Sequence, residues 1–462
     1  MKKHIHLIGI GGTGLSAIAR LLQQSGYSVS GSDQMMSPLA EALIQDGIKV
    51  TIGHKAENIA GADIIVRSSA ISDNNPEVLA GREQNIPVLK RSEFLGQFME
   101  SKIGIAVAGT HGKTTTTGMI VWMLSELGLD PSFIVGGTIN QLDTNARAGD
   151  GKYFVMEADE YDRMFLGLKP DLSVITFMEH DHPDCFPTLS DYYRAFDEFA
   201  ASIKPDGKIL VCGDHENLLY LQNKVTSHGL NSVSYGFSEN CDYQAVNLVL
   251  SALGYYSFDF IQITPHGVHD LAKNISISLP GKHNVLNTLA ALSVASLLHL
   301  NIEQAAAAVG KFTGTGRRFE IVAKVNGITL IDDYAHHPTE IKSTLSATRS
   351  RYQHNRIWAI WQPHTYSRTR LLEKDFINAF SEADEVIVTE IYASREKKEE
   401  FSSNQLVRQM NQENTHFIPE LATVINTLQK ELRPGDVVVV LSAGDANLVN
   451  KALAESLPER KN

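Results

Sequence analysis

Cysteine is scarce: three in 462 residues, Cys185, Cys212 and Cys241, widely spaced and odd in number, which leaves no disulfide framework to expect. No apolar run approaches the ~18 residues of a membrane span. The Met1-Lys2-Lys3 start has the charge of a signal sequence, but the apolar stretch after it, Ile5 to Ile10, is short and runs into glycines. Together these read as a cytoplasmic chain with no membrane partner. Positive charge is also in deficit: 41 Lys and Arg against 53 Asp and Glu give a net charge of −12, which argues against nucleic acid as a partner. There is no internal repeat and no low-complexity linker. What remains is ordinary for a globular protein, 43% hydrophobic and 20% charged, with length for two to four domains, each with its own core.

Strand-like and helix-like segments alternate almost throughout, which predicts an α/β fold with mostly parallel sheets. Three blocks emerge. Residues 1–101 carry strands at His4-Ile8, Tyr27-Gly31, Asp63-Val66 and Pro87-Leu89 and read as Rossmann-like. Residues 102–316 read as a central P-loop ATPase-type domain, in which polar–apolar alternation from Val246 to Leu279 predicts antiparallel strands. Residues 317–462, with strands at Ile328-Ile331, Ile357-Ile360, Val386-Thr389 and Val437-Leu441, read as a second Rossmann-like domain. The charged run Arg395 to Glu400 is expected to be a solvated loop.

The apolar strand Ile103 to Ala108 feeds Gly109-Thr110-His111-Gly112-Lys113-Thr114-Thr115 and then a helix over Thr114 to Leu127. This is the layout of a phosphate-binding loop, although Val107 stands where the motif's first glycine would be. Loop amides and the helix N-terminus offer donors to anionic oxygens. Lys113, on a solvent-facing loop, is placed to reach the β/γ phosphates of ATP, and Thr114 to hold Mg²⁺. Gly9-Ile10-Gly11-Gly12-Thr13-Gly14 follows the first strand, with Asp33 closing the second. That pattern suits a nicotinamide or flavin dinucleotide, or equally another nucleotide diphosphate such as a UDP-sugar. After the strand Tyr153-Met156, Glu157 is the best metal candidate, with Asp159 and Glu160 solvated or behind it. The strand Leu172 to Met178 ends in Glu179-His180-Asp181-His182-Pro183-Asp184. There H-x-H-x-D opens a binuclear metallohydrolase signature, but Cys185 stands where a further His would be needed. The alternative is one ligand to a second Mg²⁺, His182, with His180 structural and Cys185 a packed thiol.

The chain resembles the Mur ligase family, ATP-dependent amide-forming enzymes of peptidoglycan precursor synthesis. The matching stretches are Gly9 to Ala17, Ser68 to Ile71, Gly109 to Thr115, Asn145 to Gly149, Glu157 to Glu160, Pro280 to Ala291, Gly316 to Glu320, Asp332 to Glu340 and Gln362 to Arg370. The GIGG start and the last two stretches are most similar to the alanine-adding branch, with a tripeptide-recycling branch as the alternative. Tyr161 is familiar in the recycling branch, and Phe177 stands where many relatives have Asn. The resemblance implies that Gly9, Gly11, Gly12, Thr13, Gly14, Asp33, Ser68 and Ser69 bind the UDP-sugar, UDP-N-acetylmuramate. It implies that Gly109, Thr110, His111, Gly112, Lys113, Thr114 and Thr115 hold ATP, together with His283, Asn284 and Asn287 at the adenine, Arg318 at the phosphates and Asp332 at the ribose. Two Mg²⁺ would be held by Thr114, Glu157 and His182. Lys113, His182, Arg318 and His337 would serve catalysis, and His336, His364 and Arg368 the amino acid, L-alanine. The helix Leu189 to Ile203 lacks the carbamylated lysine of sibling ligases, so Asp197 or Glu198 is expected to replace it. A monomer or homodimer is equally compatible. A nicotinamide-dependent oxidoreductase and a nucleotide switch without chemistry are the rival readings.

Overall fold

A computed structural model describes residues 2–227 and 229–457. Three sheets follow one another along the chain. The first contains β1 (His4–Ile8), β2 (Ser28–Asp33), β3 (Lys49–Ile52), β4 (Ile64–Arg67) and β5 (Val88–Lys90), all parallel, in the order β3-β2-β1-β4-β5. The order reverses between β1 and β4, and the glycine turn after β1 opens at that switch point, where open α/β sheets take ligands.

The second sheet has ten strands: β6 (Ile103–Ala108), β7 (Ser132–Ile139), β8 (Thr144–Arg147), β9 (Tyr153–Glu157), β10 (Leu172–Ile175), β11 (Lys208–Cys212), β12 (Asn231–Gly236), β13 (Tyr243–Leu250), β14 (Tyr256–Thr264) and β15 (Gly267–Ser276). Their order is β15-β14-β13-β12-β11-β10-β6-β9-β7-β8. The strands from β7 to β13 across the middle are parallel, while β8 at one edge and β14 and β15 at the other are antiparallel. The alternation between Val246 and Leu279 therefore marks real antiparallel strands. The β7–β8 hairpin gave no sequence signal, because β7 contains Gly136-Gly137 and β8 is the polar tetrapeptide Thr-Asn-Ala-Arg.

The third sheet, β16 (Glu320–Val325), β17 (Ile328–Asp333), β18 (Ile357–Trp361), β19 (Glu385–Val388), β20 (Thr415–Phe417) and β21 (Val437–Leu441), has the order β16-β17-β21-β18-β19-β20, with only β16 antiparallel. Its central strands, Ile-Trp-Ala-Ile-Trp and Val-Val-Val-Val-Leu, are buried on both faces, as helix-covered parallel strands are. The edge strands β16 and β20 went unpredicted; β20 is three residues long and β16 is half-exposed.

The cores divide unevenly. Phe94, Leu95 and Met99, on the helix Arg91–Met99 that leaves the first sheet, belong to the same apolar cluster as Ile105 and Phe154 of the second. The third sheet keeps two clusters of its own, one on each face. The first two sheets are thus fused through hydrocarbon, whereas the third shares no apolar cluster with the second and meets it through the polar contacts of the site and through Ala347 and Arg351, packed on Gly281, Gly254 and Tyr255.

Candidate active site

The phosphate loop is built before any ligand arrives. Gly109 and Gly112 have φ of 127° and 79°, where a side chain is strained. A Cβ on Gly109 would also lie 2.4 Å from Thr176 Oγ1. Thr110 N–H donates to Phe177 O at 2.8 Å, and Thr110 Oγ1 meets both Glu179 O and the Tyr192 hydroxyl. The helix Lys113–Glu126 begins at Gly112 with no side-chain cap, leaving its first amides to an anion.

Lys113 does not face solvent. Its ammonium donates to Gly109 O at 2.6 Å and lies 3.0–3.1 Å from both oxygens of Glu160. Glu160 was expected to be solvated or behind the metal ligands; its side chain is fully buried. Burial works against the lysine's charge, but the surrounding carboxylates Glu160, Glu157 and Asp159 hold its pKa above the ordinary value. Burial pushes Glu160 upward, against the pull of Lys113 and His182. Thr114 Oγ1 donates to Glu157 at 3.1 Å, so a hydroxyl and a carboxylate, the hard oxygen donors that suit Mg²⁺, stand together at the start of the helix. His182 Nε2 lies 3.9 Å from Glu160 Oε1.

The H-x-H-x-D segment does not converge on a binuclear centre. His180 bonds Phe186 O, Asp181 takes Arg368, His182 turns toward Glu160, and Asp184 takes Arg395. On the helix Leu189–Ala201, Asp197 pairs with Lys224 and Glu198 with Arg163, so neither replaces the missing lysine. The side chain that reaches the loop from that helix is Tyr192, its hydroxyl 3.4 Å from Glu160 Oε1.

A cleft of about 840 Å³, counting its open mouth, lies between the loop and the third sheet. Gly112, Thr114 and Thr115 form one wall, Phe177, His283, Asn284 and Asn287 another, and Arg318, Asp333 and Glu340 close it. Burial pushes His283 down to about 4, so its ring is neutral. Asn287 accepts from Thr116 Oγ1 and donates to Asn284, tying the two helices together beside the cleft. Asp332, the expected ribose partner, does not line the cleft: neighbouring strand residues point to opposite faces, and Asp332 pairs with Arg317 at 3.1 Å. Asp333 faces the cleft instead, accepting from the amides of Phe319 and Ala335, with burial pushing it up to about 6.

The third block reaches the loop with His336, His337 and Glu340 at the start of the helix Pro338–Arg351, and with His364 and Arg368 after β18. His337 Nδ1 lies 3.0 Å from Glu179, and Arg318 lies 3.7 Å from Glu340. Burial holds His336 and His364 down to about 3, so both rings are neutral. Arg368 was expected to offer an open fork to an amino-acid carboxylate. Instead it is 2% exposed, with Nε donating to Asp181 at 2.7 Å and Nη1 lying 3.1 Å from His364 Nδ1. The charged run Arg395 to Glu400 is the exposed loop expected, apart from the half-buried Glu396, yet it is tied down: Arg395 pairs with Asp184 across the blocks and lies 4.3 Å over the Tyr161 ring, and Glu396 accepts from the amides of Tyr366 and Ser367.

In the first block, Asp33 accepts from Gly11 N–H at 2.8 Å and so shapes the glycine turn from within. Gly9 packs on Ser68, Gly12 and Thr13 open a helix without a side-chain cap, and Ser69 is exposed at the rim. Gly14 leaves room for Arg91, whose guanidinium lies 3.9 Å from Asp159 and brings this turn toward the loop. Arg91, Glu179, Tyr192, Asp333 and Glu340 were not singled out from the sequence. Glu179, first after an apolar strand, and Glu340, inside a matched motif, carried a signal; Arg91 and Tyr192 carried none.

Comparison with known proteins agrees along the whole chain. The family descriptions "Mur ligase family, catalytic domain", "Mur ligase middle domain" and "Mur ligase, glutamate ligase domain" match residues 4–103, 107–295 and 317–444. A UDP-N-acetylmuramate–L-alanine ligase of Geobacter sp. (strain M21) is 40% identical over 463 residues, covering 99% of this chain and 98% of the relative. Among solved structures, UDP-N-acetylmuramate-alanine ligase from Thermotoga maritima superposes with a TM-score of 0.78 at 26% identity, covering 98% of each chain. A murein peptide ligase from Psychrobacter arcticus shares the fold, with a TM-score of 0.69 at 24% identity and 100% of each chain covered. Three sheets in the same order, the loop between them and near-complete coverage by curated relatives lead to one assignment: the chain belongs to the Mur ligase family.

Proposed function

We propose that the chain is an ATP-dependent ligase that joins L-alanine to the lactyl carboxylate of UDP-N-acetylmuramate through an acyl phosphate. The 40% identity to an alanine-adding relative across 99% of the chain carries the choice of substrate. The geometry supplies the chemistry. The glycine turn after β1, at a sheet switch point, receives the UDP-sugar, and domain bounds at 101/102 and 316/317 put it in a domain of its own. The cleft between Asn284, Asp333 and the loop receives ATP, which supplies the phosphoryl group that activates the carboxylate. Mg²⁺ would be held by Thr114, Glu157 and His182, and when bound it neutralises phosphate oxygens.

The residues of the chain do the rest. Like charges meet when a carboxylate approaches a phosphate, so Lys113 and Arg318 must be fixed where charge develops, and both are held by carboxylates before substrate arrives. His336 and His364, neutral in the interface, line the side from which the alanine amine approaches, with the remaining N–H groups of Arg368. His337 stands beside Glu179 at the reacting centre. Closure of the third block excludes water, which would hydrolyse the acyl phosphate. No helix in the described residues is long and apolar enough to cross a membrane, in keeping with a cytoplasmic enzyme, and either a monomer or a homodimer fits.

The test is phosphate release from ATP with Mg²⁺, UDP-N-acetylmuramate and each amino acid in turn. Release that depends on L-alanine is expected. Release only with the L-alanyl tripeptide would move the chain to the recycling branch, and no release with either would overturn the ligase reading.

A further inference from the structure

His111 sits at the centre of the phosphate loop, yet nothing in the phosphate chemistry calls for a histidine there. Its two ring nitrogens face carboxylates from two different blocks. Nε2 bonds Glu179, which follows β10 in the second block, and Nδ1 lies 3.1 Å from Oε1 of Glu340, on the helix Pro338–Arg351 of the third. A ring with a carboxylate on each nitrogen must donate from both, so it is an imidazolium. The rest of its surroundings agree. The His337 ring lies 4.8 Å away and itself faces Glu179, Arg318 lies 3.7 Å from Glu340, and Phe177 packs at 5.4 Å. His215, packed on Phe177, and Lys113, two residues along, are the other charged or titratable neighbours on the second block. Glu340 also accepts from the amides of His336 and His337, so whatever holds Glu340 holds the start of its helix.

We propose that His111 is a positioning residue that couples the phosphate loop to closure of the third block, by donating simultaneously to Glu179 and Glu340. This deepens the ligase reading and rests on it for its consequence, but the contact itself stands without substrates. While the bridge is made, the loop, Glu340 and the histidines beside it form one unit. When it is broken, the third block loses a charged tie to the loop, and His336 and His364 retreat from the reacting centre. Burial opposes the charge on His111, but Glu340 and Glu179 outweigh it and raise its pKa to about 9. With the folded value above the ordinary 6.5, the bridge is complete below pH 6.5 and is lost as pH rises through about 9.

The experiment is small-angle X-ray scattering of the full chain with ATP, from pH 6 to pH 10, on the parent and on His111→Asn, with alanine kinetics on both. The parent should be compact at pH 7 and expand as pH passes about 9. His111→Asn, which cannot bridge two carboxylates, should be expanded at both pH values and lose the step. Its KM values for alanine and ATP should rise together, by about tenfold or more, as a loss of closure requires. A variant as compact as the parent, with the same pH step, would overturn the proposal. If His111→Asn fails to fold by circular dichroism, Glu340→Gln takes its place: it keeps an acceptor for the two backbone amides but removes the charge. It should be expanded at pH 7, and compactness with the parent's pH step would overturn the proposal equally. Scattering needs no turnover, so an absence of ligase activity and an absence of the bridge are read separately.

Discussion

A lysine in a phosphate loop is expected to wait in solvent for its ligand. Lys113 instead waits in a buried pair with Glu160, and that alters what its removal does. Lys113→Ala should abolish phosphate release, by a hundredfold or more, as the loss of one preorganised charge stabiliser does. It should also lower the melting temperature, because a fully buried carboxylate loses its partner, a loss of about 3–5 kcal/mol in comparable pairs. Lys113→Ala combined with Glu160→Gln should recover the melting temperature and none of the activity. A single variant that melts like the parent would show that the pair has no structural weight. The sequence announced Lys113 through its motif but left Glu160 either solvated or behind the metal ligands, because burial of an acid is decided by what packs around it. Here that is Tyr192, from a helix more than thirty positions away in sequence. Asp332 and Asp333 teach the same thing. The motif located both, while only the alternation along β17 decides which one faces the cleft.

At the level of the element, periodicity and glycine turns gave most of the strands, since a parallel sheet buried on both faces needs apolar runs, and those are visible in sequence. What escaped were β7 with its Gly136-Gly137, the polar β8 and the edge strands β3, β16 and β20, whose pairing comes from neighbours rather than from their own residues, together with β11 and β12, of which the apolar Lys208–Cys212 did carry a signal. The glycine turn after β1 was legible as a motif, but the work of each glycine differs. A Cβ on Gly31, on the neighbouring strand β2 against the turn, would lie 2.5 Å from both Leu7 O and Ile10 Cδ1, whereas one on Gly12 in the turn itself would meet only Gly9 O at 3.5 Å. Gly31→Ala should therefore destabilise the first block by about 1–3 kcal/mol, as overpacking does. Gly12→Ala should leave the melting temperature of the free protein unchanged, yet lose the stabilisation that UDP-N-acetylmuramate gives the parent by mass action. Thermal shifts with and without the nucleotide sugar check both. Equal stabilisation of Gly12→Ala and parent would remove this turn from the binding site.

Across the whole molecule, the uneven division of the cores decides what can move. The first and second blocks share hydrocarbon, and the third is joined by a linker with left-handed backbone at Arg317 and Phe319, φ 58° and 48°, and by ion pairs. Polar interfaces open and close more readily than apolar ones, so the third block is the one expected to close over the reaction. The most buried of those contacts is Arg368 with Asp181, 2% and 4% exposed. The motif alone suggests that Arg368→Lys should raise the alanine KM and spare the other two substrates. The structure predicts otherwise: lysine has one donor head where Arg368 uses Nε for Asp181 and its other nitrogens toward His364 and His182. Closure would weaken as a whole, and the KM values for ATP, UDP-N-acetylmuramate and alanine should rise together. Asp181→Asn, which leaves the arginine intact but takes away its countercharge, should give the same pattern and the same expansion by scattering. A rise confined to alanine in Arg368→Lys, with Asp181→Asn near parent, would mean that the guanidinium acts on the bound amino acid and that other contacts close the molecule.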